Sequence, residues 1–199
     1  MKNIGCVVVL VVLGVVVLLG GWLVSLNNRL VALQESTSAA WAQVETVLQR
    51  RYDLIPNLVN TVKGYAEHEK GLFEEVTRLR SQWAGARSVA EKVEAAGQLE
   101  GSLGRLLLVA EQYPQLKASE NFKDLQYELA GTENRITVER QRYNEAVRAY
   151  NVGVRQFPGS LVAGFRGFTP SDAYFESAAG AKEAPKVDFG VKSSQSEPK

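Results

Sequence analysis

An uncharged stretch from Asn3 to Asn28 constrains this chain more than any other feature. Within it, Ile4 to Leu26 is an almost unbroken run of valine, leucine, isoleucine and glycine. Coiled as a helix, the run would be about 35 Å long, enough to cross a hydrocarbon core of roughly 30 Å. Lipid offers no partner to backbone N–H and C=O groups, so such a segment must satisfy them internally as a helix. A cleaved signal peptide would have a shorter apolar stretch, roughly 7–15 residues, and a small-x-small cleavage site. Gly20-Gly21-Trp22-Leu23-Val24 offers no such site, and Cys6 lies too near the start to follow a lipoprotein signal. Cys6 therefore reads as an apolar filler, and an uncleaved anchor contacting the lipid bilayer through Ile4 to Leu26 is expected. Trp22 suits the interface. Lys2 and Arg29 flank the run almost symmetrically. The expected topology is a single pass through the bacterial inner membrane, with a cytoplasmic amino terminus and a periplasmic soluble part. Gly14, Gly21 and Ser25 fall roughly on one face, where small residues let spans approach closely, although glycine is also simply common in spans.

Outside the run the charge is balanced. Setting Lys2 aside from the 23 basic residues leaves them equal to the 22 acidic ones. No basic excess remains to displace phosphate counterions, which argues against nucleic acid as a partner. One cysteine excludes a disulfide framework within the chain.

Helical spacing follows the anchor. Leu26, Leu30, Leu33, Ala40, Trp41, Val44, Val47 and Leu48 recur by threes and fours, with a gap at Ser36 and Thr37. An unbroken helix here would carry the span into the soluble part as a stiff stalk. Arg50-Arg51-Tyr52-Asp53-Leu54-Ile55-Pro56-Asn57 reads as a corner. Pro56 suits a helix's first turn, Ile55 before it should mark a break, and Asp53 is a candidate cap. A second helix is predicted from Leu58 to Trp83, weakened at Gly64 and Gly71 by roughly 1 kcal/mol each. A third runs from about Ala90 to Gln112 and stops at Tyr113-Pro114. Its segment Leu106 to Val109 is too apolar for a solvated face. The fourth has the cleanest period, from Phe122 through Ile136, Glu139, Tyr143, Val147, Tyr150 and Val154 to Phe157, with Ser119 as N-cap. Beyond Pro158, the residues Leu161, Val162, Phe165, Phe168, Tyr174 and Phe175 are too apolar to dangle. They should pack on the bundle end or form a sticky contact segment. From Ser177 the composition predicts disorder.

The chain carries little material for catalysis. Glu67-His68-Glu69 on a helix would point its side chains about 100° apart. A zincin would need a second histidine at position 72, which is Leu72. The spacing thus predicts a surface histidine between two carboxylates. Gly101-Ser102-Leu103-Gly104 lacks the lysine of a phosphate loop. Glu74 with Glu75, or Glu133 with Glu139, could do acid–base work in principle, but charged helix faces usually only hold water. Glu139 falls on the core seam, where a carboxylate needs a partner, and Arg50, Arg51, Arg135 and Arg140 are the candidates. Tyr143-Asn144 and Tyr150-Asn151 stand one heptad apart. They suit structural networks to a neighbouring helix or its turn better than a ligand site. No catalytic, cofactor-binding or metal-binding residue is assigned, no cofactor is expected, and the chain is not expected to be an enzyme.

The run Arg51 to Val59, then Val62-Lys63-Gly64-Tyr65-Ala66 and His68-Glu69, resembles the signature of the LemA family of bacterial membrane proteins. So do Glu111 to Ala118, Phe122, Glu133 to Ile136, the two Tyr-Asn steps, and Phe157-Pro158 followed by Gly167-Phe168. The resemblance covers roughly residues 1–176 and leaves out the tail. It implies an N-terminal membrane helix and an up-and-down bundle of four long helices in a bromodomain-like arrangement. It carries over no catalytic residue.

Together these readings give an all-α chain: a transmembrane anchor over 1–28, a helical bundle over 29–176 and a disordered tail over 177–199. The function expected is a membrane-anchored scaffold or adaptor of the cell envelope, acting by self-assembly into a homo-oligomer or through unidentified envelope proteins. The alternative is a lipid- or small-ligand-binding envelope module built on the third helix and the terminal segment.

Overall fold

The computed structural model describes residues 2–66 and 68–175. Glu67 and the tail expected to be disordered lie outside the described residues. Helix α1 runs without interruption from Lys2 to Asp53. Its large apolar side chains from Val7 to Val24 are exposed. Among the described residues it is the one helix long and apolar enough to cross a membrane. From Leu30 onward one face is buried, through Trp41, Val44, Leu48 and Tyr52. The polar gap does not break the helix; the Thr37 hydroxyl donates to the Leu33 carbonyl one turn back (3.0 Å).

At the corner the chain kinks rather than stops. Leu54 keeps right-handed helical angles (φ −79°, ψ −20°), and α2 resumes at once over Ile55–Lys63 with Pro56 in its first turn. The break thus falls one residue before the expected position. Asp53 does not cap α2. Its carboxylate instead accepts from the Gln49 side chain at 2.7 Å and faces Arg80 at 3.6 Å.

The predicted long second helix is two helices. The chain turns at Gly64-Tyr65-Ala66 and starts again as α3, Lys70–Gly85. Helix α3 folds back along the α1–α2 corner. Arg80 Nε donates to the Tyr52 carbonyl at 2.9 Å, and the Trp83 ring meets Tyr52 edge-on at 4.7 Å. Helix α4, Val89–Glu111, begins with a capping box: the Ser88 hydroxyl accepts from the Glu91 amide, while the Glu91 carboxylate accepts from the Ser88 amide. Two backbone donors also hold the Glu91 carboxyl below the usual carboxylate range. After Tyr113 come a short α5, Pro114–Ala118, and the long α6, Glu120–Arg155. Ser119 occupies the N-cap position of α6 without a side-chain bond.

The result is an all-α up-and-down bundle in which α6 returns antiparallel beside α1. Its core holds Val44, Leu48, Leu58, Val62, Val76, Leu99, Leu103, Leu106, Phe122, Ile136 and Val147. A second, smaller cluster sits nearer the apolar end, around Leu30, Tyr150, Val154, Val162 and Ala163. It is built by α7, Gly159–Arg166, an element absent from the sequence reading. Gly159 presses on α6 so closely that a methyl group there would collide with the Gly153 carbonyl. One at Gly153 would stand 2.9 Å from Leu33 Cδ1. Gly167, at φ 75°, ends α7 in the left-handed region that favours glycine.

This close approach predicts that Gly159→Ala loosens α7. Overpacking of this kind costs about 1–3 kcal/mol, so exchange of the α7 amides should accelerate roughly 5- to 150-fold. Gly164→Ala, which has nothing within 4 Å of the added carbon, should not accelerate those amides and should slow them, since alanine favours the helix by about 1 kcal/mol. Hydrogen-exchange mass spectrometry of the two variants checks this.

Candidate functional site

A layer of paired charges crosses the middle of the bundle. Arg51 on α1 pairs with Glu133 on α6. Arg140, two turns further along α6, donates from Nη1 to Glu100 on α4 at 2.9 Å. Lys92 on α4 pairs with Glu45 on α1 and stands 5.4 Å from the Trp83 ring centre. Three helices are thus tied in a ring. Burial dominates the electrostatics. It pulls the Arg51 guanidinium below its usual value, with Glu100 and Tyr52 acting in the opposite sense. It also pushes the Tyr52 hydroxyl well above the ordinary tyrosine range, with Arg140 and Arg51 opposing. The buried Nε atoms of Arg51 and Arg140 have no hydrogen-bond partner among the described residues.

Below this layer the chain after α7 forms a strap. Residues 168–175 run back up the bundle with no helix or strand of their own. Two asparagines on α6 hold it by paired backbone bonds. Asn151 donates to the Ser171 carbonyl (2.7 Å) and accepts from the Ser171 amide (2.8 Å). Asn144 does the same with Phe175, at 2.8 and 3.0 Å. Each side-chain amide therefore imitates a neighbouring peptide strand. The Tyr150 hydroxyl donates to the Thr169 carbonyl at 3.0 Å, and the Tyr174 hydroxyl lies 2.9 Å from Asn151 Nδ2. Phe175 stacks on Trp41 at 6.0 Å, meets Tyr143 edge-on at 5.8 Å, and lies 4.9 Å from the Arg140 guanidinium. Arg140 joins the charged layer to the strap.

The strap's end borders an open groove between α4 and α6. The groove encloses about 1420 Å³. Glu94, Gly97, Gln98, Glu100 and Gly101 line its α4 wall, and Arg140, Gln141, Glu145 and Arg148 its α6 wall. Charged groups of both signs stand among apolar surface along it, a mixture found in protein–protein contacts.

The LemA family profile matches residues 40–189, a span that includes the charged layer, the clamp and the strap. The chain belongs to the LemA family. The resemblance seen in its motifs is thereby borne out. Magnetosome protein MamQ 2 of Paramagnetospirillum magneticum is 27% identical over 179 residues, covering 77% of this chain and 66% of that protein. Magnetosome protein MamQ of Magnetospirillum gryphiswaldense is 25% identical over 179 residues with the same coverage. The chain thus spans just under two thirds of the length of these relatives. Protein LemA of Metamycoplasma hominis is 25% identical over 163 residues, covering 81% of this chain and 72% of that protein. With an exposed apolar helix at its N-terminal end, this LemA-family chain is a membrane protein.

The family's motif residues have distinct structural duties. Arg51 and Glu133 pair, Pro56 opens α2, and Asn144 and Asn151 clamp the strap. The networks expected of the two Tyr-Asn steps exist, but their partner is the downstream strap rather than a helix. Glu139 does not meet the corner. It pairs with Arg142 one turn away at 2.8 Å, because its position on α6 lies nearly two turns from Glu133. Arg50 faces Glu128 at 3.6 Å with both side chains more than half exposed, a weak pair. Asn57 is exposed. His68 lies exposed in the turn between α2 and α3 rather than on a helix. Glu75 accepts from Arg105 (2.6 Å) and Ser102 (3.1 Å) across α3 and α4, and these bonds hold its carboxyl below the usual range. Phe157, expected on the seam of the fourth helix, lies beyond its end and is exposed. Glu100, Glu45 and Lys92 were missed, since a charge off the apolar stripe gives no sign that another helix will face it.

The layer yields a stability prediction. Glu133→Gln should destabilise the bundle by about 1–3 kcal/mol, discounted because Glu133 is partly exposed. Replacing both partners, Arg51→Met with Glu133→Leu, should recover most of that loss. Chemical denaturation in detergent measures both, and equal losses in the single and double variants would contradict the pairing.

Proposed function

We propose that this LemA-family chain is a membrane-anchored, non-enzymatic scaffold or adaptor of the bacterial cell envelope. It works through contacts of its bundle with a second copy or with envelope proteins. We further propose a single pass through the inner membrane, with a cytoplasmic amino terminus and a periplasmic bundle. The observation that carries the scaffold reading is the unbroken α1, which holds the apolar segment and the bundle on one rod. Such a rod sets the height and orientation of the bundle surface above a membrane, which is what a scaffold requires. The groove between α4 and α6, with charged groups on both walls, is the surface that would receive the partner.

One experiment separates the two parts of the proposal. Gln141→Cys, in a Cys6→Ser background, places a thiol in the groove. Cells with an opened outer membrane are treated with permeant and impermeant forms of a maleimide–succinimidyl ester crosslinker. A discrete adduct with both reagents is expected. An adduct with the permeant form alone would overturn the periplasmic side. No adduct with either would overturn the scaffold reading.

A further inference from the structure

Helix α7 shows two opposite apolar faces. Gly159, Val162 and Ala163 are buried against α1 and α6. On the far side Phe165 is 96% exposed and Leu161 is 57% exposed, and Phe157, just before the helix, is 76% exposed. Single exposed apolar residues are ordinary, but three large ones in one short segment form a patch.

The place of the patch tells what covers it. Between α1 and α7 lies a cleft of about 610 Å³. One wall is Leu23, Val24 and Asn27, and the other includes Leu161, Phe165 and Arg166. Leu23 and Val24 belong to the apolar run itself. The patch on α7 is therefore level with the last turns of the segment that must sit in lipid, and continuous with its surface. Nor can α7 swing away from that level. Gly159 is seated on the Gly153 backbone, and Arg166 Nε donates to Asn27 Oδ1 at 3.1 Å across the cleft. Arg166 and Asn27 mark the polar edge, and Leu161, Phe165, Leu23 and Val24 the apolar one. This is the sequence of chemistries met on passing from phospholipid headgroups into acyl chains.

We infer that α7 is a second membrane contact, with Leu161 and Phe165 placed among the acyl chains of the bilayer beside α1 and Arg166 at the phosphate level. The occupant is the bilayer rather than a protein, because one wall of the cleft is the membrane segment itself. The inference depends neither on the scaffold role nor on which side the bundle faces. It gives α1 a lateral support at the membrane surface, so that the stalk leaves the bilayer braced.

Full-length protein with a nitroxide on Phe165→Cys, in a Cys6→Ser background, tests this in nanodiscs of phosphatidylcholine and phosphatidylglycerol. A label on Leu161→Cys repeats the test without removing the phenylalanine. A label on Tyr127→Cys, a 79% exposed position early in α6, serves as the aqueous reference. Power-saturation spectroscopy compares collisions with oxygen, which concentrates in lipid, and with a water-soluble nickel chelate. Both α7 labels should favour oxygen over nickel severalfold relative to position 127. Nickel accessibility equal to that at 127 would place the patch in water and overturn the inference. Poor collision with both reagents would mean a protein covers it, and would overturn it equally.

Discussion

The antiparallel seam between α1 and α6 is the interaction on which the rest of the structure depends. Leu30, Trp41, Val44, Leu48 and Arg51 on α1 meet Val154, Tyr150, Tyr143, Ile136 and Glu133 on α6. An isolated helix as long as α1 would have only its own hydrogen bonds in the stretch after the apolar run, and packing supplies most helical stability there. The seam gives that stretch a partner along its soluble length. It also brings the end of α6 down to the base of the bundle, where α7 and the strap begin. The buried side chains divide into two clusters along the seam. The strap crosses α1 at the polar gap around Thr37, so the gap and the strap are matched features.

The charged layer contributes differently. Taking Arg51 largely out of water is costly, and such a pair with a half-exposed carboxylate often adds little net stability. Its geometry has another effect. A shift of α6 by one turn against α1 would separate Arg51 from Glu133 and leave the guanidinium buried alone. A like shift of α4 would separate Arg140 from Glu100 and Lys92 from Glu45. The layer thus penalises wrong registers among three helices that apolar side chains alone would tolerate. Arg140 extends this control to Phe175, so the strap's position also depends on correct packing of α4.

Much of the architecture was legible in the sequence because it rests on periodicity. The apolar run, the continuing α1, the cores of α4 and α6 and the proline breaks at Pro56, Pro114 and Pro158 follow from local rules. What was misread depends on distant contacts. Gly64 reads as a weak point in a helix until α3 is seen folding back from it. Glu139 lies on the α6 stripe by spacing, yet a side chain near the rim finds a closer arginine at Arg142. Val162, Phe168, Tyr174 and Phe175 do pack back as expected, whereas Leu161 and Phe165 do not. Their sorting depends on which face of α7 the Gly153–Gly159 contact selects. The candidate site was least legible. Asn144 and Asn151 declare themselves polar residues beside a seam, but not that their partner is backbone from 20 or more residues downstream.

Rigid coupling between the membrane segment and the bundle links these features, and the backbone from Leu26 to Ala40 carries it. Amide hydrogen exchange of the full-length protein in nanodiscs measures that stretch directly. Slow exchange through Ser36 and Thr37, comparable with the buried seam around Val44, is expected of a continuous rod held by α6, α7 and the strap. Fast exchange confined to residues 27–37, with the bundle beyond still protected, would show a hinge there and contradict the rod.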